Sequence, residues 1–182
     1  AYASLWRYQD LELVSERVKA AKLAGYEAIK LHEVGLKEVQ VARDQLGQDV
    51  PLMLDTNCPW SPQKAREMVS ALEDFNLYWL EEPINPPEDF KALSNLRRDT
   101  GVRIASGEHA CTSFQFREIF EKNAVDFAQP SVTKVGGISE FRKIVVLCDL
   151  AGAQIMPHSP YFGPGFLATL QLSQTFSHPL FL

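Results

Sequence analysis

The feature that most constrains this chain is an alternation, repeated along its length, of short apolar runs with longer amphipathic ones. The short runs are residues 1–5, 28–32, 51–55, 77–81, 103–107, 127–129 and 154–156, and they read as strands. Between them, residues 11–24, 36–46, 62–74, 86–98, 112–121 and 139–151 read as helices. In the first of these, Leu11, Val14, Val18 and Ala21 keep the three-to-four spacing of a single buried face. Punctuation agrees with the pattern: Gly25 and Gly47 follow helix ends, Ser61-Pro62 starts a helix, and Pro86-Pro87 opens the next. Tyr161-Phe162-Gly163-Pro164-Gly165 reads as a rigid turn leading into a further helix. Seven strand–helix units at a repeat of roughly 25 residues predict a parallel sheet.

Two architectures accommodate such a repeat: an open doubly wound sheet and a closed barrel. The open sheet favours a glycine-rich phosphate loop after its first strand, and Leu5-Trp6-Arg7-Tyr8 is nothing like one. No GxGxxG pattern occurs. The polar residues favour the barrel. Lys30, His32, Asp55, Asn57, Glu81, Glu108, Gln129 and His158 all fall at the C-terminal ends of successive strands. In a barrel those ends converge on one mouth, where active sites are built. Pro179-Leu180-Phe181-Leu182 reads as entry into an eighth strand. A barrel short of that strand leaves two unpaired edges, so the expectation is a partial domain over 1–182, cut from a longer protein.

Composition narrows the function. The net charge of −5 argues against nucleic acid or an anionic membrane as partner, since both attract basic surfaces. No apolar run approaches transmembrane length. Cys58, Cys111 and Cys148 are odd in number and widely spaced, which points to reduced thiols in the cytoplasm; Cys58 and Cys111 read as buried small residues. His109 and His178 read as structural histidines.

Asp55, Glu81 and Glu108 occupy equivalent places on three consecutive strands. Adjacent parallel strands are about 4.8 Å apart, so these carboxylates repel unless a cation sits among them. Oxygen-only ligands select a hard divalent ion, magnesium before calcium or zinc.

Met53-Leu54-Asp55-Thr56-Asn57, Trp79-Leu80-Glu81-Glu82-Pro83 and Ser106-Gly107-Glu108 resemble the three metal-ligand motifs of the enolase superfamily, in its mandelate racemase/muconate lactonizing enzyme family. The segment from Gln129-Pro130-Ser131 to Gly137 and the motif Pro157-His158-Ser159 resemble the segments that follow in that family. The resemblance implies a TIM-like barrel of the modified (β/α)7β type, incomplete here, with an N-terminal capping domain absent. It implies Mg2+ held by Asp55, Glu81 and Glu108, a small carboxylate or acid-sugar substrate, and a symmetric homo-oligomer. Lys30 matches the first lysine of a Lys-x-Lys motif, and Asn57 and Lys134 match substrate-side positions at the mouth. His32 stands in place of the second lysine, the base on one face of the substrate, and His158 matches the base on the other. Ser131 replaces the aspartate that usually orients the second histidine.

His32 is a tolerable substitute, because imidazole starts near neutrality, and the charge of Lys30 two residues away is expected to favour its neutral form. Ser131 can hold His158 by a hydrogen bond but cannot stabilise its charged form electrostatically, so His158 suits the role of acid. The activity expected is removal of the proton alpha to a carboxylate, giving a metal-stabilised enediolate and then dehydration of an acid sugar. The alternatives are racemisation or epimerisation of a 2-hydroxy or related acid, and a non-catalytic binding protein on the same barrel.

Overall fold

A computed structural model describes residues 1–176 of the chain. The segment read as entry into an eighth strand, and His178, lie outside the described residues. The strands are β1 (Ala3–Ser4), β2 (Ile29–Leu31), β3 (Leu52–Asp55), β4 (Leu77–Glu81), β5 (Ile104–Ser106), β6 (Phe127–Ala128) and β7 (Gln154–Ile155). The helices are α1 (Leu11–Leu23), α2 (Leu36–Leu46), α3 (Pro62–Leu72), α4 (Phe90–Thr100), α5 (Ser113–Glu121), α6 (Ile138–Ala151) and α7 (Pro164–Ser173). A 3-10 turn, Glu73–Phe75, extends α3. Among the described residues, no helix is long and apolar enough to cross a membrane.

Side chains set most helix starts. Asp10 accepts from the amides of Glu12 and Leu13 ahead of α1, Ser61 caps α3 with Pro62 in the first turn, and Thr112 caps α5. One boundary differs from expectation. Pro86-Pro87 does not open a helix; α4 begins at Phe90, because the Asp89 carboxylate caps the amide of Ala92 at 2.9 Å.

All seven strands are parallel and pair in chain order, β1 through β7. A doubly wound sheet would reverse that order at a switch point, so the unbroken order selects the barrel type. The regular strands are shorter than the apolar runs that predict them, yet ladder hydrogen bonds continue past their ends, as from Gln129 N to Ser106 O at 3.0 Å. The sheet curls into a half-barrel: Tyr2, Lys30 and His32 from one edge line a cavity of about 220 Å³ together with Pro157 and His158 from the other.

Two cores follow from strand alternation. One face packs against the helices through residues such as Ile29, Leu31, Leu52, Leu54, Leu80, Ile104 and Ala128. The inner face holds Ala28, Met53, Trp79, Ala105, Phe127 and Met156. Two residues further along each strand come Lys30, Asp55, Glu81, Gly107, Gln129 and His158. Since side chains repeat every second residue, an apolar plug at one level places a polar layer directly above it.

Gly107 is the exception in that layer, and it has a reason. Its φ of +129° is open to glycine alone, and a Cβ there would lie 2.8 Å from Phe116 Cε1 and 3.2 Å from the Gln129 amide nitrogen. The turn it makes swings Glu108 into the mouth. Gly107→Ala is expected to lower the unfolding free energy by about 2–4 kcal/mol through backbone strain and overlap. Urea denaturation checks this, and a loss no greater than that of a surface alanine substitution contradicts it.

Candidate active site

Asp55 ends β3, Glu81 ends β4 and Glu108 follows β5, and one oxygen of each lies within 4.8 Å of the others. All three are buried. Lys30 Nζ contacts Asp55 Oδ2 at 3.2 Å and Glu81 Oε1 at 2.7 Å, itself only 3% exposed. Burial works against this ammonium, but the charge of Glu81, with further help from Asp55, holds its pKa above the ordinary lysine value. Glu81 Oε2 accepts from the Trp79 indole at 2.8 Å. Asp55 Oδ1 accepts from the amide and side chain of Asn57 at 3.1 and 2.9 Å.

The carboxylates titrate differently because their compensation differs. Burial pushes Glu81 up despite Lys30. Burial also opposes the charge on Asp55, yet the His32 hydrogen bond and the Lys30 charge hold its carboxyl well below the usual range. Glu108 is likewise lowered, burial being outweighed by the hydrogen bond from His158.

His32 and His158 approach this cluster from its two ends. His32 Nδ1 meets the Leu5 carbonyl oxygen at 2.6 Å, and its Nε2 stands 3.1 Å from Asp55 Oδ2. Both neighbours only accept, so both ring nitrogens donate. Burial disfavours the charged ring, but the hydrogen bond and charge of Asp55 raise its pKa overall. This corrects the expectation that Lys30 favours neutral His32: the lysine charge is already matched by two carboxylates, and the nearer Asp55 decides.

At the other end, Ser131 Oγ lies 3.0 Å from His158 Nδ1, 2.9 Å from the His158 carbonyl oxygen and 3.3 Å from the Tyr161 hydroxyl. A hydroxyl has one proton. Since the carbonyl can only accept, the serine proton goes there, and Nδ1–H and Tyr161 donate into Oγ. Ser131 therefore selects the Nδ1–H tautomer, as the Leu5 carbonyl does for His32, and Nε2 is the exchangeable atom of both rings. His158 Nε2 faces Glu108 Oε2 at 3.0 Å. Apart from the His158 ring, that buried oxygen has no hydrogen-bond partner. A contact between a bare Nε2 and a carboxylate needs a proton or a cation to be favourable. Three converging oxygen donors, one of them orphaned, fit a hard divalent ion.

The remaining expected residues sit at the rim. Asn57, at φ 56°, is committed to Asp55 through its amide group and to Arg7 Nη2 at 3.2 Å through Oδ1. Lys134 Nζ donates to the Glu108 carbonyl at 2.8 Å. Tyr161 reaches the site through Ser131. Cys111 is exposed and Cys58 half-buried, in contrast to the buried positions expected, because both occupy loops beyond strand ends rather than the strands. Arg7 was not anticipated: its guanidinium ties the loops after β1, β2 and β3 together through the carbonyls of His32 and Thr56. No local pattern marks it, since its partners are 25 and 49 residues away.

Glu82, beside the cluster, is almost fully buried, and burial pushes its pKa up to about 7 against hydrogen bonds from Gly107 and Ser106. A carboxyl that binds its proton more tightly when folded contributes less stability as pH rises, here from about 4.5 to about 7. Glu82→Gln is expected to gain on the parent across that window by on the order of 3 kcal/mol. Urea unfolding at a series of pH values measures it; a difference independent of pH contradicts the assignment.

Residues 13–182 match the family described as enolase C-terminal domain-like. The chain is 34% identical over 158 residues to the L-talarate/galactarate dehydratase of Salmonella typhimurium, covering 83% of this chain and 39% of that protein. It superimposes on the 3,6-anhydro-D-galactonate cycloisomerase of Zobellia galactanivorans with a TM-score of 0.91 at 31% identity, over 98% of this chain and 52% of that one. The L-talarate dehydratase of a Polaromonas species, solved with Mg and L-glucarate, gives a TM-score of 0.79 at 28% identity, over 87% of this chain and 47% of that one. The chain thus spans about half the length, or less, of the relatives it matches.

Proposed function

The chain belongs to the enolase C-terminal domain-like family, and on that premise we propose that it carries the catalytic barrel of a magnesium-dependent enzyme that removes the proton alpha to a carboxylate, with dehydration of an acid sugar as the reaction. The supporting observation is the pair of Nε2 atoms directed at the acidic cluster from its two ends, 3.1 Å from Asp55 and 3.0 Å from Glu108. Asp55, Glu81 and Glu108 would hold the ion. When bound, magnesium supplies the positive charge that offsets negative charge building on the substrate carboxylate as its alpha proton leaves.

The chain's own groups do the rest. Lys30 adds a fixed positive charge beneath the site, and Asn57 and Lys134 contact the substrate at the rim. His158 Nε2, with Nδ1 held by Ser131, takes the alpha proton. The electron pair left behind forms a carbon–carbon double bond as the beta hydroxyl departs as water, carrying a proton from His32 Nε2. This reverses the roles that the sequence suggested for the histidines. The reversal is supported by His32, whose two ring nitrogens both face groups that can only accept, so that its ring holds the proton a leaving hydroxyl needs. Small acid sugars as substrates, a homo-oligomeric assembly and a cytoplasmic location belong to the same reading.

Racemisation or epimerisation is the second reading, favoured by the placement of the two histidines at opposite ends of the cluster. Proton NMR of the complete protein with magnesium and a panel of acid sugars in deuterated buffer separates the readings. Loss of substrate with formation of a 2-keto-3-deoxy acid is expected. Retained substrate with alpha deuterium and inverted configuration moves the assignment to an epimerase. No exchange across the panel supports a non-catalytic binder and overturns both. His158→Asn is expected to lower kcat by at least about 100-fold, and Ser131→Ala by about 10- to 100-fold with little change in KM, because it frees the tautomer rather than removing the base.

A further inference from the structure

A little further along the same three strands, a second set of donors converges that the proposed reaction leaves unused. Cys58 lies beyond β3, Glu82 follows β4 and His109 lies beyond β5. One atom from each lies within 4.8 Å of the others. The chemistry differs from that of the first cluster: a thiol, a carboxylate and an imidazole in place of three carboxylates.

Glu82 shows why these groups are more than neighbours. Its Oε1 accepts from Ser106 Oγ and the Gly107 amide, both at 2.8 Å, which holds the carboxylate in place. Its Oε2 faces the Cys58 sulfur at 3.5 Å, and a thiol is a weak donor. The side chain is 1% exposed, so water offers that oxygen little compensation. A buried acceptor that weakly satisfied, directed at a sulfur and close to an imidazole, is a partly assembled coordination sphere. The third donor, His109, is 44% exposed and lies on the solvent side, which leaves room for water as a fourth ligand.

Donor hardness identifies the class of ion. Magnesium and calcium take oxygen, whereas sulfur, nitrogen and oxygen together suit zinc and its borderline-soft relatives, commonly in four-coordinate geometry. We propose that Cys58, Glu82 and His109 form a binding site for a divalent cation of the zinc class, separate from the oxygen-only cluster beside it. The two sites sort ions by softness although adjacent strand ends build both. His109 Nε2 also stands 3.5 Å from Glu108 Oε1, so an ion held there competes with Glu108 for this side chain.

The test uses the complete protein with magnesium in excess, so that the oxygen cluster is occupied, and cobalt(II) as probe. A near-ultraviolet sulfur-to-cobalt charge-transfer band is expected, and zinc should abolish it by displacement. The band should be lost in Cys58→Ser and kept in Cys111→Ser. His109→Asn changes a side chain that is 44% exposed, and it should weaken zinc binding by more than about 100-fold, beyond the usual cost of losing an outer partner of a metal site. Absence of the band, a band that follows Cys111 instead of Cys58, or equal zinc affinity in parent and His109→Asn overturns the proposal.

Discussion

The structure depends on one electrostatic problem and its solution: several carboxylates are drawn into the mouth of a barrel where water cannot reach them. Asp55, Glu81, Glu82 and Glu108 are all buried around one end of the sheet. A charge taken out of water costs several kcal/mol unless it is matched, so such a cluster persists with positive charge built into it or, as at Glu82, by holding a proton more tightly. Lys30 provides that charge from the layer directly above the apolar plug, touching two carboxylates at once. His32 provides it at one end of the cluster, against Asp55.

That arrangement explains why the site sits on strands and not on mobile loops. Ala28, Met53, Trp79 and Phe127 fill the barrel below, and the residue two places on from each enters the mouth with its direction already set by the pleat. Trp79 does both jobs, packing in the plug and donating to Glu81. Gly107 breaks the alternation, and its φ of +129° is what brings Glu108 to the cluster out of register.

Equivalent orientation of the two histidines is achieved by unlike means. A backbone carbonyl holds Nδ1 of His32, and a serine hydroxyl holds Nδ1 of His158. Both acceptors are neutral, so both determine the tautomer without lending negative charge to the ring. Ser131 differs from an aspartate here in electrostatics but not in geometry, and the hydroxyl of Tyr161 donates into the same oxygen. Close by, the sulfur of Cys58 and the ring of His109 show that loop residues just past the strand ends add donors of another kind.

The sequence alone was enough for everything that depends on local periodicity. The repeat of strands and helices, the parallel sheet, the barrel and the three carboxylates at equivalent strand ends are legible in it, because side-chain direction along a strand follows from chain position. Asp55 and Glu81 follow from that rule, whereas Glu108 joins them only through the turn at Gly107. What only the tertiary structure decided is which partner each polar group meets across the barrel. The protonation of His32 is set by Asp55 and the Leu5 carbonyl and not by Lys30, its neighbour in sequence. The tautomer of His158 depends on a hydroxyl 27 residues away, and Arg7 bridges loops 25 and 49 residues distant. Proton positions and charge compensation depend on distances of about 3 Å between remote segments, and those distances arise only when the chain closes on itself.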